Sequence, residues 1–287
     1  MEPVKVGLVG AGPWAEMAHA PMLAMSPEIE FAGVWARRPE AAARLGAPVY
    51  ERIEDLFDQV EAVAFCVPPG VQAELAVKAA KAGKALLLEK PLADSLEGAQ
   101  RLADTVAETG VASQMLLTMR YDARTRAFLA RCAEIEPFGG HAVNVSGVLA
   151  AEGHPFGTPW RLRRGALLDV GPHAIDLLDA ALGRVTGVRA HGNPLGWVGL
   201  LLDHEGGAVS EVSLCMAGAG ELPPSRFEVY GRLGSAILPE FDDDPLATVA
   251  AEFAQTVRQG GGHPLDAAHG LRLQRIIAEA ENQVSAP

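Results

Sequence analysis

Val4-Lys5-Val6-Gly7-Leu8-Val9-Gly10-Ala11-Gly12-Pro13-Trp14-Ala15 is the stretch that decides the fold. Val4 to Val9 reads as a strand, and a glycine follows with no spacer. The Gly10-x-Gly12-x-x-Ala15 pattern then lies between that strand and a helix expected over Trp14 to Ala24. The first glycine makes a tight turn, the second lets backbone approach a pyrophosphate, and the third small residue permits close helix–strand packing. Pro13 suits the first helical turn, where its missing N–H costs nothing. Free N–H groups at that helix start can hold a phosphate. Gly10, Gly12, Pro13, Trp14 and Ala15 are therefore the expected cofactor residues. Trp14 and His19 also suit helix packing.

A second strand, Glu30 to Ala36, ends in Arg37-Arg38-Pro39. An NAD-selective site places Asp or Glu about 20 residues beyond the glycine turn, to hold the ribose hydroxyls. This chain has Ala36 and then two arginines. Guanidinium groups there can pair with a 2′-phosphate, which favours NADP over NAD. The alternative is a solvated charged turn leading into a helix from Pro39 to Leu45.

Further out, strand and helix keep alternating. A short strand is expected at Ala47 to Tyr50 and a helical turn at Ile53 to Phe57. The buried strand Ala62 to Val67 stops at Pro68-Pro69, before a helix from Gly70 to Ala82. The apolar run Ala85-Leu86-Leu87-Leu88 leads into Glu89-Lys90-Pro91, then a helix from Asp94 to Glu108 and a sixth strand near Ala112 to Leu117. This is the pattern of a parallel, doubly wound sheet. Lys90 falls at the carboxyl end of its strand, where open α/β sheets bind ligands. Pro91 biases Lys90 toward extended backbone. Pro68 and Pro69 end their strand on the same edge, as a wall beside the nucleotide, and Glu89 and Lys90 join the cofactor set.

From Met119 the period changes. A helix from Asp122 to Glu134 precedes strand-like runs at His141–Leu149, Thr186–His191, Gly196–Asp203, Ala208–Met216, Arg226–Gly231 and Ser235–Leu238. His204-Glu205-Gly206-Gly207 reads as a hairpin turn. The expectation is a Rossmann domain over 1–118 and an α+β domain with an open, largely antiparallel sheet over 119–287. Helices near Pro245–Arg258 and Leu265–Gln283 would close it. Within the second part, Gly171-Pro172 starts a helix that Gly183 ends. His173 sits in the first turn, where the helix dipole disfavours the imidazolium. Asp169 can fold back to orient the ring, and Asp176 shares its face.

The totals restrict partners. A net charge of −12 over 287 residues leaves no basic stripe for nucleic acid. No run approaches 18 apolar residues, and no leader core is apparent, so no membrane partner and a cytoplasmic address are expected. Cys66, Cys132 and Cys215 have neither disulfide nor zinc spacing, and no metal is expected.

The ordered set Gly10-Ala11-Gly12-x-x-Ala15, Val67-Pro68-Pro69, Glu89-Lys90-Pro91 and Asp169-x-Gly171-x-His173-x-x-Asp176 resembles the Gfo/Idh/MocA oxidoreductases. The likeness runs on to Phe227-Glu228-Val229-Tyr230-Gly231 and the last helix. It implies a nicotinamide-dependent enzyme with chemistry between its two domains. Lys90 would bridge nicotinamide and substrate, and His173 with Asp169 would be the acid/base pair. Hydride would pass between nicotinamide and a secondary alcohol or ketone, by family default of a sugar or cyclic polyol. Substrate contacts are expected from Tyr121 and from Trp160 and Arg161 in a His154–Arg164 loop, whose three arginines would also suit an acid. The chain departs from the family in having Gln72 where a histidine is common, and in Thr118-Met119-Arg120-Tyr121, which lacks an asparagine. The glycine-rich lead into Asp169 is reduced to Arg164-Gly165-Ala166. A cofactor-binding sensor without turnover, and a reductase of imines or pigments, remain open. The uncovered face of the second sheet predicts a homodimer or a dimer of dimers.

Overall fold

Residues 2–240 and 245–284 are described in a computed structural model of the chain. The first strands form as their sequence requires. β1 (Val4–Val9), β2 (Ile29–Trp35), β3 (Ala62–Phe65), β4 (Ala85–Glu89) and β5 (Ser113–Leu116) make one parallel sheet in the order β2-β1-β3-β4-β5. β3 and β5 are buried throughout, and so is β4 as far as Leu88, as strands covered on both faces must be. Strand order reverses at β1, so the crevice between the carboxyl ends of β1 and β3 is the switch point where such sheets bind ligands.

The crossovers are α1 (Ala20–Met25), α2 (Pro39–Ala42), α3 (Ile53–Gln59), α4 (Pro69–Lys81) and α5 (Leu96–Thr109). α5 shows both ends of a helix signal: the Ser95 hydroxyl accepts from Gly98 N–H, and Gly110 closes the helix in the left-handed region. Two expectations change here. Ala47–Tyr50 is no strand, only a single bridge from Val49 to Val34, so the sheet has five strands and not six. The first helix is not uniform either. A π-helical turn over Ala15–His19 precedes α1, with Ala20 N–H reaching Ala15 O. Pro21 follows at once and has no N–H to continue an α-helical ladder.

Beyond Thr118 the second unit begins with α6 (Ala123–Glu134), capped by Asp122, whose carboxylate accepts from Thr125 N–H at 2.8 Å. β6 (Pro137–Val145), α7 (Pro159–Asp169) and α8 (Gly171–Leu182) follow. β7 (Val185–Gly192), β8 (Trp197–His204), β9 (Val209–Cys215), β10 (Arg226–Gly231) and β11 (Gly234–Ile237) complete a six-stranded sheet. Its order is β11-β10-β6-β9-β8-β7, and every pair is antiparallel except β6 with β9. α8 covers one face, over β6 and β9. On the other face the strand alternation exposes Trp197, Val209, Tyr230 and Ile237.

Of the loop expected over His154–Arg164, residues 154–158 are irregular and α7 takes the rest. Pro159 starts it, and Gly165 breaks it at φ +66°, where a Cβ would lie 2.0 Å from Pro194 O. The chain closes with α9 (Pro245–Gln259) and α10 (Ala267–Glu281).

The two compact units are Met1–Thr118 with Asp244–Gln274, and Met119–Asp243 with Arg275–Pro287. A single cut at residue 118 does not describe this division, because residues 244–274 return to the first unit. β5 gives the physical reason. It is an edge strand, and the returning segment takes up its polar groups: Met115 N–H donates to Leu265 O at 2.6 Å, Ala267 N–H to Ser113 Oγ at 3.1 Å, and Gln114 Nε2 to Val249 O at 3.2 Å. Among the described residues no helix is long and apolar enough to cross a membrane.

Candidate active site

The glycine turn is built for close backbone approach. Gly10 has φ +121° and donates its N–H to Trp35 O at 2.9 Å. A Cβ there would meet Cys66 O at 2.1 Å, so no other residue fits between β1 and β3. A Cβ on Gly12 would meet nothing within 4 Å, which leaves that backbone open to a ligand. Ala15 is fully buried against the sheet. Gly10, Gly12 and the helix start at Pro13 thus fit a dinucleotide pyrophosphate. Arg37 and Arg38 are exposed just past Trp35, the β2 residue that bonds Gly10. Among the described residues, no ion pair engages either guanidinium. Of the expected proline wall, Pro68 is exposed and precedes α4, while Pro69 is buried as the first residue of that helix.

The end of β4 is fastened from two sides. Glu89 Oε1 accepts from Trp14 Nε1 at 2.8 Å and lies 2.8 Å from His19 Nε2, and Glu89 Oε2 accepts from Lys90 N–H at 3.2 Å. Trp14 and Glu89, both expected in the cofactor set, are engaged with each other. Their polar atoms brace the glycine turn against the strand. His19 is fully buried. Burial opposes charge on its ring, but the neighbouring Cys66 sulfur and the Glu89 carboxylate outweigh it and raise its pKa to about 10. By local pattern His19 suits helix packing, and its place in this network is not visible there. The usable signal was a polar ring in the first helix and an acid at a strand end, but their meeting depends on the sheet order. Lys90 is half-buried at the sheet's carboxyl edge, and its peptide bond to Pro91 is cis.

In the second unit, His173 is the third residue of α8 and half-buried. The chain enters α8 from α7 through Val170 in right-handed helical conformation, so the helix start is a junction and not a loop. The buried Asp169 carboxylate accepts from Arg161 Nε at 2.8 Å. Arg161 also reaches Thr158 Oγ1 at 3.3 Å and lies 4.4 Å from the Trp160 ring centroid. The expected substrate contact Arg161 is thereby the counter-ion of Asp169. Arg164 grips both Glu281 oxygens, at 2.7 and 2.9 Å. Two of the three arginines that suggested an acid substrate are thus already paired. Asp176 is buried and held by Arg120 at 2.8 Å. Tyr121 is 2% exposed, which makes it a core residue and not a wall open to a ligand. Trp160 is half-buried.

Comparison with known proteins decides the family. A model described as an oxidoreductase family with an NAD-binding Rossmann fold matches residues 4–116, and the GFO/IDH/MocA C-terminal domain matches residues 140–237. The chain belongs to the Gfo/Idh/MocA oxidoreductases. This Gfo/Idh/MocA protein is an NAD(P)-dependent oxidoreductase. It is similar to scyllo-inositol 2-dehydrogenase (NADP(+)) IolW of Bacillus subtilis (strain 168), with 22% identity over 98% of this chain and 93% of that one. It is also similar to scyllo-inositol 2-dehydrogenase (NAD(+)) of the same organism, with 28% identity over 63% of this chain and 53% of that one. Its fold is shared with a levoglucosan dehydrogenase in complex with NADH and L-sorbose, at a TM-score of 0.85 and 20% identity over the whole of both chains.

Proposed function

We propose that this oxidoreductase transfers a hydride between NADP and a secondary alcohol, or its ketone, in a sugar or cyclic polyol. One observation carries the reading: Lys90 directly follows β4, whose last residue, Glu89, is hydrogen-bonded to Trp14 of the dinucleotide turn. A cation there directly follows a residue tied to the glycine turn. The bound nicotinamide supplies the hydride acceptor or donor. Lys90 polarises the substrate oxygen, and His173 takes or returns the hydroxyl proton. General acid–base work of this kind is worth about 10²–10⁴ in rate. Asp169, whose carboxylate is balanced by Arg161, is the residue just before α8 that would orient the His173 ring.

A neutral substrate suits the pairing of Arg161 and Arg164 better than an acid does. The two scyllo-inositol dehydrogenases among its relatives agree with a polyol. The exposed Arg37 and Arg38 support NADP as the preferred cofactor. The exposed row Trp197, Val209, Tyr230 and Ile237 supports a homodimer, or a dimer of dimers, through the second sheet. Light scattering at micromolar concentration should give a multiple of the 30.1 kDa chain mass.

The test of function is cofactor turnover by purified protein with cyclic polyols, sugars, keto acids and imines, each with NADP and NAD in both directions. The reading expects the highest rates with a polyol or sugar. Turnover confined to keto acids or imines, or none with any of them, would overturn it.

A further inference from the structure

We infer that Gln72 is the positioning residue that sets the place of Lys90. This rests on the proposed role of Lys90 in polarising the substrate oxygen. Gln72 lies in the first turns of α4 and is fully buried. Its side-chain amide makes a pair with the backbone of Glu89: Oε1 accepts from Glu89 N–H at 2.9 Å, and Nε2 donates to Glu89 O at 2.8 Å. The same Nε2 donates to Leu92 O at 3.1 Å and lies 3.3 Å from Pro91 O. One side chain therefore holds the backbone on both sides of Lys90.

The sheet shows why such a grip is required. The ladder between β3 and β4 runs from Ala62 opposite Ala85 to Ala64 opposite Leu87 and stops there. β3 ends at Phe65, so on that side Glu89 has no strand backbone to pair with. A buried backbone donor and acceptor cannot be left unmade without cost. The Gln72 amide has the donor and acceptor of a peptide group and takes the place of the missing strand. On the opposite side, Glu89 lies opposite Leu116 of β5. Lys90, the next residue, leaves a strand end clamped from both flanks, while Trp14 and His19 hold the Glu89 carboxylate. Such a clamp restricts where the ammonium sits, and small displacements of a catalytic group are costly in rate.

A purely structural Gln72 and a positioning Gln72 differ in one measurable respect. The loss of turnover in Gln72→Leu should depend on the presence of Lys90. The experiment measures kcat, KM and cofactor Kd for Gln72→Leu, Lys90→Ala and the double variant, using scyllo-inositol or the fastest substrate of the panel. Melting temperatures are recorded for each. Gln72→Leu should lower kcat about 10- to 100-fold and leave cofactor Kd within about threefold. The double variant should be no slower than Lys90→Ala alone, within about twofold. Gln72→His, which keeps one donor and one acceptor, should recover part of the rate, and it serves in the same cycle if the leucine variant does not fold. Unchanged kcat with a lowered melting temperature would confine Gln72 to folding and overturn the inference. Losses that multiply in the double variant would overturn it too. Full turnover by Lys90→Ala is a different failure, since it removes Lys90 from the reaction and takes the underlying reading with it.

Discussion

Trp14 Nε1 donates to Glu89 Oε1 at 2.8 Å, across 75 residues of sequence, and so joins the dinucleotide turn to the strand that leads into Lys90. The bond makes two motifs into one object. The same carboxylate oxygen lies 2.8 Å from His19, so the strand end is fastened to two residues of the segment after the glycine turn.

Cofactor preference follows from Arg37 and Arg38. With both guanidinium groups exposed beyond β2, NADPH should bind more tightly than NADH. Loss of one charge-assisted bond costs roughly 1.5–3 kcal/mol, about 10- to 100-fold in affinity. Changing both residues to Ala should remove the preference, as read by fluorescence titration. Equal affinities in the unaltered protein would rule out this role.

Stability should fall on the alkaline side. The His19 pKa is raised from 6.5 to about 10, because Cys66 and Glu89 outweigh the opposing effect of burial. A raised folded-state value means that the stabilisation is complete below about pH 6.5 and is lost as pH rises through about 10. Thermal midpoints measured from about pH 6 to pH 10 should decline, and His19→Gln should flatten that decline. Identical slopes in both proteins would show that His19 does not titrate in this window.

How much of this was legible in the sequence depends on the range of the interactions. The glycine turn, the buried strands and the helix from Gly171 to Leu182 follow from local pattern, and they stand where the pattern put them. The Glu89 network did not follow, because Trp14, His19 and Gln72 reach it only through the order of strands in the sheet. The α7 helix was hidden by Gly165, whose left-handed turn against Pro194 interrupts the apolar periodicity. The α9 helix follows from local pattern, but the unit it joins is set by the unpaired edge of β5, which no local signal marks.

Arg161 separates two accounts of the second unit. As counter-ion of the buried Asp169, it should matter to folding whatever the substrate. Breaking a buried pair costs up to about 3–5 kcal/mol, and less here because Arg161 keeps some solvent contact. Arg161→Ala should therefore lower the melting temperature of the cofactor-free protein by several degrees. An unchanged melting temperature with weakened binding of carboxylate substrates would return Arg161 to substrate recognition.

Single-turnover hydride transfer by His173→Ala and Lys90→Ala, with cofactor saturating, tests the proposed roles of the two residues most directly. For His173→Ala, cofactor Kd should stay near that of the unaltered protein while the rate falls about 10²–10⁴-fold. Asp169→Asn should add little to the loss from His173→Ala, because the two act as a unit. Lys90→Ala should slow transfer and weaken substrate binding together. Unchanged hydride transfer per folded molecule in His173→Ala would remove His173 from the reaction and place the proton donor elsewhere.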